Sequence, residues 1–318
     1  MKIRYGTRGS ALAVAQSGAF ASELGRLHPG LEVEQVTIQT SGDRFSLARP
    51  DAPYKEGPAA PGDAAPNVKA MFVKELEEAL LAGAIDFAVH SSKDLPGDLP
   101  PGLTVAAFPE REDPSDVYIG GPAAPTWSAV RAGAPAGKPP LRVATAALRR
   151  QIQLGLSAPG TVFVTMRGNV DTRLRKLAEG AADGLVLARA GLKRLGRGDV
   201  AHEVLSEDVI VPAPGQGALA VEAREDRKDV MDLLGTCDHA PTRLAVECER
   251  VFLRLMGGGC RTPLGGRAKV SSSALEFLWF WSDDAGRQPC RGSFSCAADL
   301  ASFQEKAAAV AKRCLALY

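Results

Sequence analysis

The stretch Phe87-Ala88-Val89-His90-Ser91-Ser92-Lys93-Asp94-Leu95-Pro96 decides the fold, because an apolar strand runs there directly into a group of ionisable side chains. Pro96 has no N–H to donate to a sheet, so the strand is expected to end near Ser91. Lys93 and Asp94 then lie at its carboxyl end, the edge at which ligands bind in open α/β sheets. This predicts a site for a zwitterionic substrate, and the alternative is a solvated loop with a surface ion pair of little energetic weight.

Length and composition describe an ordinary globular chain. The 318 residues are enough for two or three domains, and 45% hydrophobic with 24% charged residues excludes disordered and fibrous classes. The start, Met1 to Gly6, lacks the apolar core of a signal peptide, and no apolar run approaches the length of a membrane span. We therefore expect a cytoplasmic protein without a membrane partner.

Charge and the metal-binding residue types narrow the function further. A net charge of +1 argues against nucleic acid as a partner, but residues 142–197 hold eleven Lys or Arg against three acids. This basic middle region suits a small polyanionic ligand. The six cysteines contain no CxxC and the four histidines lack metal-ligand spacing, so we expect neither a disulfide framework nor a metal centre.

The first residues predict a strand, a turn from Gly6 to Ser10 and a helix from Ala11 to Leu24. Helix N-termini attract anions, so Arg8 and Ser10 could hold a carboxylate there. The alternative is a plain turn with Ser10 as the N-cap. The turn lacks the GxGxxG and GxxxxGK[ST] patterns of nucleotide-dependent enzymes.

Residues 47–67 are rich in Pro, Ala and Gly, which predicts a mobile loop. A helix is expected after it, with Phe72 and Leu76 on one face and an end at Gly83. Lys69 at its start could face a ligand, and the alternative is a solvated lysine.

The segment 109–114 reads as a hinge into a second domain, and residues 121–140 as a surface connection poor in core-forming groups. Two strand-helix units follow, with Arg149 and Arg150 in the first turn of one helix and Arg167 just before the next. Cations in a first helical turn oppose the helix dipole, so we expect a bound anion to compensate them.

A return crossing is predicted at 209–221, where Gly215 and Gly217 make a structural turn. The helix expected from Thr242 to Met256 buries one apolar stripe, made up of Leu244, Cys248, Val251, Phe252 and Leu255. After it, Cys260 follows three glycines and has arginine neighbours that favour a thiolate.

Several of these segments resemble the porphobilinogen deaminase family, in the family's order from Thr7 to Gly265. They are TRGSALAVAQ, VHSSKDLP, RGNVDTRL, AGLKRLG, PAPGQGALAVE and GGGCRTPLG. The resemblance implies an α/β fold with two type II periplasmic-binding-protein-like domains around a cleft and a small C-terminal α+β domain. The implied bounds are 1–109 with 215–226, then 110–214, then 227–318.

The resemblance also implies the chemistry, which is head-to-tail condensation of four porphobilinogen molecules through linear pyrrole intermediates, with loss of ammonia. Asp94 would be the catalytic carboxylate, and dipyrromethane would be attached covalently through Cys260. The cofactor would also contact Ser91, Lys93, Asp94, Arg149 and Arg150. The substrate would contact Arg8, Ser10, Lys69, Phe72, Arg149, Arg167, Arg173 and Arg194. We expect a monomer.

Two departures from the family pattern bear on activity. Ala146 and Ala147 stand where the family commonly has serine, and Asn67, Val68 and Ala70 replace small or glycine positions around Lys69. They motivate the rival hypothesis, a non-catalytic or diverged paralogue of the same fold that binds small anions.

Overall fold

The computed structural model describes residues 1–41, 70–257 and 262–316. Its first unit is a five-stranded sheet in the order β2-β1-β3-β10-β4 with helices on both faces. The elements are β1 (Lys2–Arg8), α1 (Ala11–Leu27), β2 (Glu32–Ile38), α2 (Ala70–Leu81), β3 (Phe87–Ser91), β4 (Leu103–Ala107) and β10 (Leu219–Arg224).

The second unit repeats this arrangement in the order β7-β6-β8-β5-β9. It contains β5 (Asp116–Gly120), α3 (Trp127–Ala132), β6 (Arg142–Ala144), α4 (Leu148–Ser157), β7 (Val162–Val164), α5 (Val170–Ala178), β8 (Gly184–Ala188), α6 (Arg189–Arg194) and β9 (Glu203–Val204). In each sheet the fourth strand, β10 or β5, is antiparallel to its neighbours and is the strand that the chain forms on arriving from the other unit. The predicted pair of type II α/β units is confirmed.

The third unit is an antiparallel sheet in the order β11-β12-β13 covered by two helices. It contains α8 (Ala240–Leu255), β11 (Leu264–Val270), β12 (Ala274–Trp281), β13 (Cys290–Ala297) and α9 (Leu300–Leu315). Aromatic rings join the layers, since Phe277 on the sheet lies 5.0 Å from Phe252 and 4.9 Å from Phe303 between ring centroids.

The remaining helix, α7 (Lys228–Gly235), precedes this unit in the chain but packs on the first sheet, with Val230 and Leu234 in its core. The C-terminal core begins only with α8, although the third domain was expected from residue 227.

Residues 121–140 differ from the expected surface connection, and that prediction was wrong. Thr126 caps α3 by accepting from the amide of Ala129, and the helix buries Trp127 and Val130 in the core of the second unit. A tryptophan and a valine three residues apart after a threonine are the signal of a short capped helix. The surrounding Gly, Ala and Pro residues obscure that signal.

The prediction for α8 also needs a correction. Leu244 and Leu255 are only half-buried, whereas Glu249 and Arg250 are buried. A helix held between two units buries a wider face than a single apolar stripe predicts, because its polar side chains find partners on the other unit.

Glu249 on α8 joins all three units. Its carboxylate accepts from both terminal nitrogens of Arg111 at 2.6 and 3.0 Å. Arg111 lies in the segment 109–114 that leads from the first unit to the second, here called the outgoing crossing. It also accepts from the amide of Gly215 on the return crossing at 2.6 Å and from the amide of Ala268 on β11 at 2.9 Å. Because Glu249 is completely buried, these donors replace all of its lost hydration.

Both turn glycines of the return crossing are required by space. Gly215 has a φ of +73°, and a Cβ there would lie 2.7 Å from the hydroxyl of Ser92. Gly217 has a φ of +85°, and a Cβ there would lie 2.3 Å from the carbonyl oxygen of Glu112. The structural-turn interpretation of these glycines is therefore confirmed.

Glu249→Gln is expected to lower the free energy of unfolding by about 3 kcal/mol, because it leaves the Arg111 guanidinium buried without its counter-charge. Urea unfolding followed by circular dichroism measures this. The control is Glu247→Gln on the same helix, whose partly exposed pair with Arg243 should contribute less than about 1 kcal/mol. Equal effects of the two substitutions would contradict the role of Glu249.

Candidate active site

A pocket lies at the carboxyl edge of the first sheet. Strands β1 and β3 are parallel neighbours, so both end at this edge. The pocket is lined by polar residues from these two ends and from the first turn of α1, together with apolar residues of α1, α2 and β3. The polar members are Arg8, Ser10, Gln16, His90, Ser91 and Asp94.

Asp94 is exposed at the end of a single 3₁₀ turn, Ser92–Asp94, that follows β3. The amide of Ser92 donates to the carbonyl of Ala218 at 3.0 Å, and the next residue, Leu95, is buried in the core behind the turn. A carboxylate that points into a pocket from a turn fixed at both ends is held in a defined position.

Arg8 and Ser10 lie where the sequence predicts. The hydroxyl of Ser10 accepts from the amide of Ala13 at 3.3 Å, so it caps α1 while it also lines the pocket. Arg8 is the half-buried last residue of β1. Ser10 is therefore the N-cap of α1, and the binding of a carboxylate by Arg8 and Ser10 stays a prediction.

The first turn of α4 holds a buried cluster of charges. Nη1 of Arg149 lies 2.9 Å from one carboxylate oxygen of Asp116, and Arg150 donates to the other oxygen through Nε at 2.9 Å and Nη2 at 2.7 Å. Arg149 also donates to the carbonyl of Val211 at 2.6 Å. Although burial alone would raise it, the two guanidinium charges hold the pKa of Asp116 far below its ordinary value.

Asp116 was missed from the sequence. The compensation expected from a bound anion is partly supplied by this internal carboxylate, which opens β5 and is completely buried. A charged residue at the start of an otherwise apolar strand was the available signal. The two arginines and one carboxylate still carry a net positive charge.

This cluster extends to neighbouring cations. Burial lowers the pKa of Lys93 to about 8, with Arg150 and Arg149 acting in the same direction and Asp94 opposing them. Burial, and then the charge of Arg150, lowers the pKa of Arg173 to about 10. Lys93 therefore lies within the field of the second unit's arginines, so the 3₁₀ turn that carries Lys93 and Asp94 interacts electrostatically with this basic cluster.

Gln216 connects this cluster to the crossings. Its Nε2 donates to the carbonyl of Pro114 at 2.6 Å and to Asp116 at 3.0 Å. Arg194 on α6 donates to the carbonyl of Gly217 at 2.6 Å. Strand β5 and helix α6 of the second unit are thus hydrogen-bonded to the chain that returns to the first.

The other predicted residues fall into three groups. Arg167 is half-buried just before α5, and Arg173 donates to the carbonyl of Gly168 at 2.8 Å. Ala146 is exposed, and Ala147 is the N-cap of α4 without a side-chain hydrogen bond. Outside the described part of the chain lie Lys69, Cys260, the side chain of Phe72, and the loop 47–67.

Residues 1–41, 70–257 and 262–316 hold neither a cluster of metal-ligand side chains nor a membrane-spanning helix. They contain no group of three or more His, Cys, Asp or Glu side chains placed to hold a metal ion. They also contain no helix that is long and apolar enough to cross a membrane.

Comparisons with known proteins identify the family. A family model described as "Porphobilinogen deaminase, dipyromethane cofactor binding domain" matches residues 3–232, and "Porphobilinogen deaminase, C-terminal domain" matches residues 243–288. The porphobilinogen deaminase of Roseiflexus sp. (strain RS-1) is 46% identical over 85% of this chain and 82% of that protein. That of Trichlorobacter lovleyi is 42% identical over 92% and 87%.

Among solved structures, the VFT2 domain of Bordetella pertussis BvgS aligns with 74% of this chain and 86% of its own, at 15% identity and a TM-score of 0.40. The family matches span most of the chain, and relatives above 40% identity cover more than four fifths of it. The chain belongs to the porphobilinogen deaminase family.

Proposed function

We propose that this chain is a porphobilinogen deaminase, that is, a hydroxymethylbilane synthase of the transferase class. It would join four porphobilinogen molecules head to tail, release ammonia and give hydroxymethylbilane for tetrapyrrole biosynthesis. One observation carries the proposal: Asp94 lines a pocket together with Arg8 and Ser10, and the neighbouring Lys93 lies within the field of the buried Arg149 and Arg150.

Asp94 is assigned to the developing positive charge. Loss of ammonia from porphobilinogen leaves a cation that is delocalised onto the pyrrole N–H. A carboxylate fixed beside that nitrogen stabilises the cation more than the ground state. In its protonated form the same group can pass a proton to the leaving amine, and the carboxylate that remains can accept one from the condensing pyrrole, provided that both lie within hydrogen-bond reach.

Arginines are assigned to the acetate and propionate arms of the substrate, because planar guanidinium groups match carboxylates through paired hydrogen bonds. Arg8 and Ser10 would act from the first unit. Arg149, Arg167, Arg173 and Arg194 would act from the second. The hydrogen bond from Arg194 to the carbonyl of Gly217 holds α6 against the return crossing.

Lys93, Arg149 and Arg150 suit dipyrromethane, a group that bears several carboxylates. Their combined positive charge exceeds the single negative charge of Asp116 that pairs with the two arginines. Lys93, Arg149 and Arg150 would hold its carboxylates, Ser91 and Asp94 would contact its pyrroles, and Cys260 would form the thioether. When bound, dipyrromethane supplies the pyrrole carbon to which the first substrate unit is joined.

The alternative, an anion-binding protein without turnover, is not favoured. An exposed carboxylate such as Asp94 inside an anion pocket would repel the ligand, so it weakens binding unless it has a chemical role. The substitution at Ala147 leaves the start of α4 intact, with backbone bonds from the amides of Arg150 and Gln151 to its carbonyl.

The direct test is the rate at which the purified protein converts porphobilinogen to hydroxymethylbilane. Asp94→Asn should slow the chemical step by at least about 10²-fold, because it removes the charge and keeps the size. Asp94→Glu should cause a smaller loss through displacement of the carboxylate. Asp98→Asn, an exposed aspartate of the following loop, is the control. Turnover of folded, cofactor-loaded Asp94→Asn near the parent rate would leave Asp94 as a surface charge only.

Arg167→Ala should raise KM by roughly tenfold to a hundredfold, since one charge-assisted hydrogen bond contributes about 1.5 to 3 kcal/mol. Arg167 is a cleaner choice than Arg149, whose removal would disturb the buried pair with Asp116. Arg175→Ala on α5 removes an exposed arginine paired with Glu179 and should leave KM unchanged. Equal KM values for the parent and Arg167→Ala would remove Arg167 from the site.

Cys260 should carry dipyrromethane, and the other five cysteines should be unmodified. Burial raises the pKa of four of them, with Cys248 at about 12, which suppresses their thiolates. The remaining three of that group are Cys237, Cys296 and Cys314. Intact mass and peptide mapping of the active protein decide the assignment, and an unmodified Cys260 would refute it.

A further inference from the structure

Three titratable side chains lie close enough to interact electrostatically where α2 packs on the first sheet. Glu222 on β10 pairs in register with Ala88 of β3, and His90 lies two residues further along β3, so Glu222 and His90 share one face. Nε2 of His90 lies 3.0 Å from a carboxylate oxygen of Glu222, and the two side chains are 5% and 0% exposed.

Glu77 on α2 is the third member. It follows Leu76, a residue of the pocket wall, and it is 9% exposed. Among the described residues, Oε1 of Glu77 and Oε1 of Glu222 are buried without a hydrogen-bond partner. If both buried carboxylates are ionised, a single imidazole can balance only one of their two negative charges. The cluster therefore favours keeping a proton on one carboxyl group.

The other charges around the cluster are engaged elsewhere. Arg250 on α8 interacts electrostatically with Glu222, and its guanidinium donates to the carbonyls of Pro96 and Gly97 at 2.9 Å. Arg224, the next residue of β10 on this face, is bound to Asp226. Glu78 on the same helix as Glu77 points to solvent and pairs with Lys74, and Arg8 of β1 lies across the pocket.

We propose that Glu77, Glu222 and His90 form a buried proton-holding cluster that positions the pocket wall behind Asp94, with Glu77 as its titrating member. His90 itself lines the pocket and stands one residue before the end of β3, so the cluster borders the site directly. Glu77 acts here as a positioning residue. A neutral Glu77 supplies an O–H donor to a cluster that holds unpartnered carboxylate oxygens.

Burial, reinforced by the charge of Glu222 and opposed by His90, raises the pKa of Glu77 to about 7. Ionisation above that pH adds a second negative charge beside Glu222. This charge loosens the cluster and opposes a substrate that carries carboxylates, so KM should rise as Glu77 loses its proton. The effect on KM rests on the proposed function, whereas the effect on stability does not.

The stability test compares the pH dependence of urea unfolding in the parent, Glu77→Gln and Glu78→Gln. Because the folded state holds the proton more tightly, the stabilisation is complete below the ordinary pKa of a glutamate side chain, 4.5, and is lost as pH rises through the pKa of Glu77 in the folded protein, about 7. The parent and the Glu78→Gln control should lose stability over this window, and Glu77→Gln should not. If Glu77→Gln still loses stability between these pH values as the parent does, the proposal is wrong.

The activity test follows KM for porphobilinogen through the pKa of Glu77 in the folded protein, about 7. In the parent it should rise by up to about tenfold between about pH 6 and pH 8, and Glu77→Gln should flatten the rise with little change in kcat. A rise that Glu77→Gln retains would overturn the positioning role, even if the stability test succeeds.

Infrared titration of the parent protein needs no variant and no turnover. It should show a protonated carboxyl band that disappears near pH 7, and absence of this band would overturn the proposal. If the purified protein does not convert porphobilinogen, the proposed function is wrong. The infrared and unfolding results would still test the cluster, because neither requires turnover.

Discussion

The buried carboxylate of Glu249 is the interaction on which the arrangement of the three units depends. It accepts hydrogen bonds from Arg111 on the outgoing crossing, Gly215 on the return crossing and Ala268 on the C-terminal sheet. A fully buried carboxylate is tolerated only when its acceptor sites are filled, so the three units must meet in one geometry for it to be satisfied. This fixes the return crossing, and Gly215 on that crossing packs against the turn that presents Asp94.

The second organising constraint is the excess of positive charge where the two α/β units meet. Asp116 neutralises only part of the charge of Arg149 and Arg150, and Lys93 lies within the same field. A buried cation excess is costly unless an anion binds, and this cost supports the proposed binding of substrate and cofactor carboxylates here. Gln216 bonds Asp116 to the crossing, which places this charge beside the hinge.

Local signals were sufficient for most elements. The apolar run before Pro96 predicts β3, and the serine before an apolar period predicts the capped start of α1. These local signals failed where a Gly- and Pro-rich composition predicts a loop although the segment forms a helix. The Gly- and Pro-rich segment 121–140 contains α3, whose Trp127 is buried against the second sheet, a contact that composition alone does not indicate.

The sequence by itself determined the family, the α/β fold class and the residue types of the site, because motifs, strand ends and helix caps are short-range patterns. Only the tertiary structure decided which charges neutralise one another. Glu222 meets His90 across 132 residues, and Asp116 meets Arg150 across 34. Such pairings depend on sheet register and on the packing of helices against the crossings, and neither is encoded in the spacing of residues along the chain.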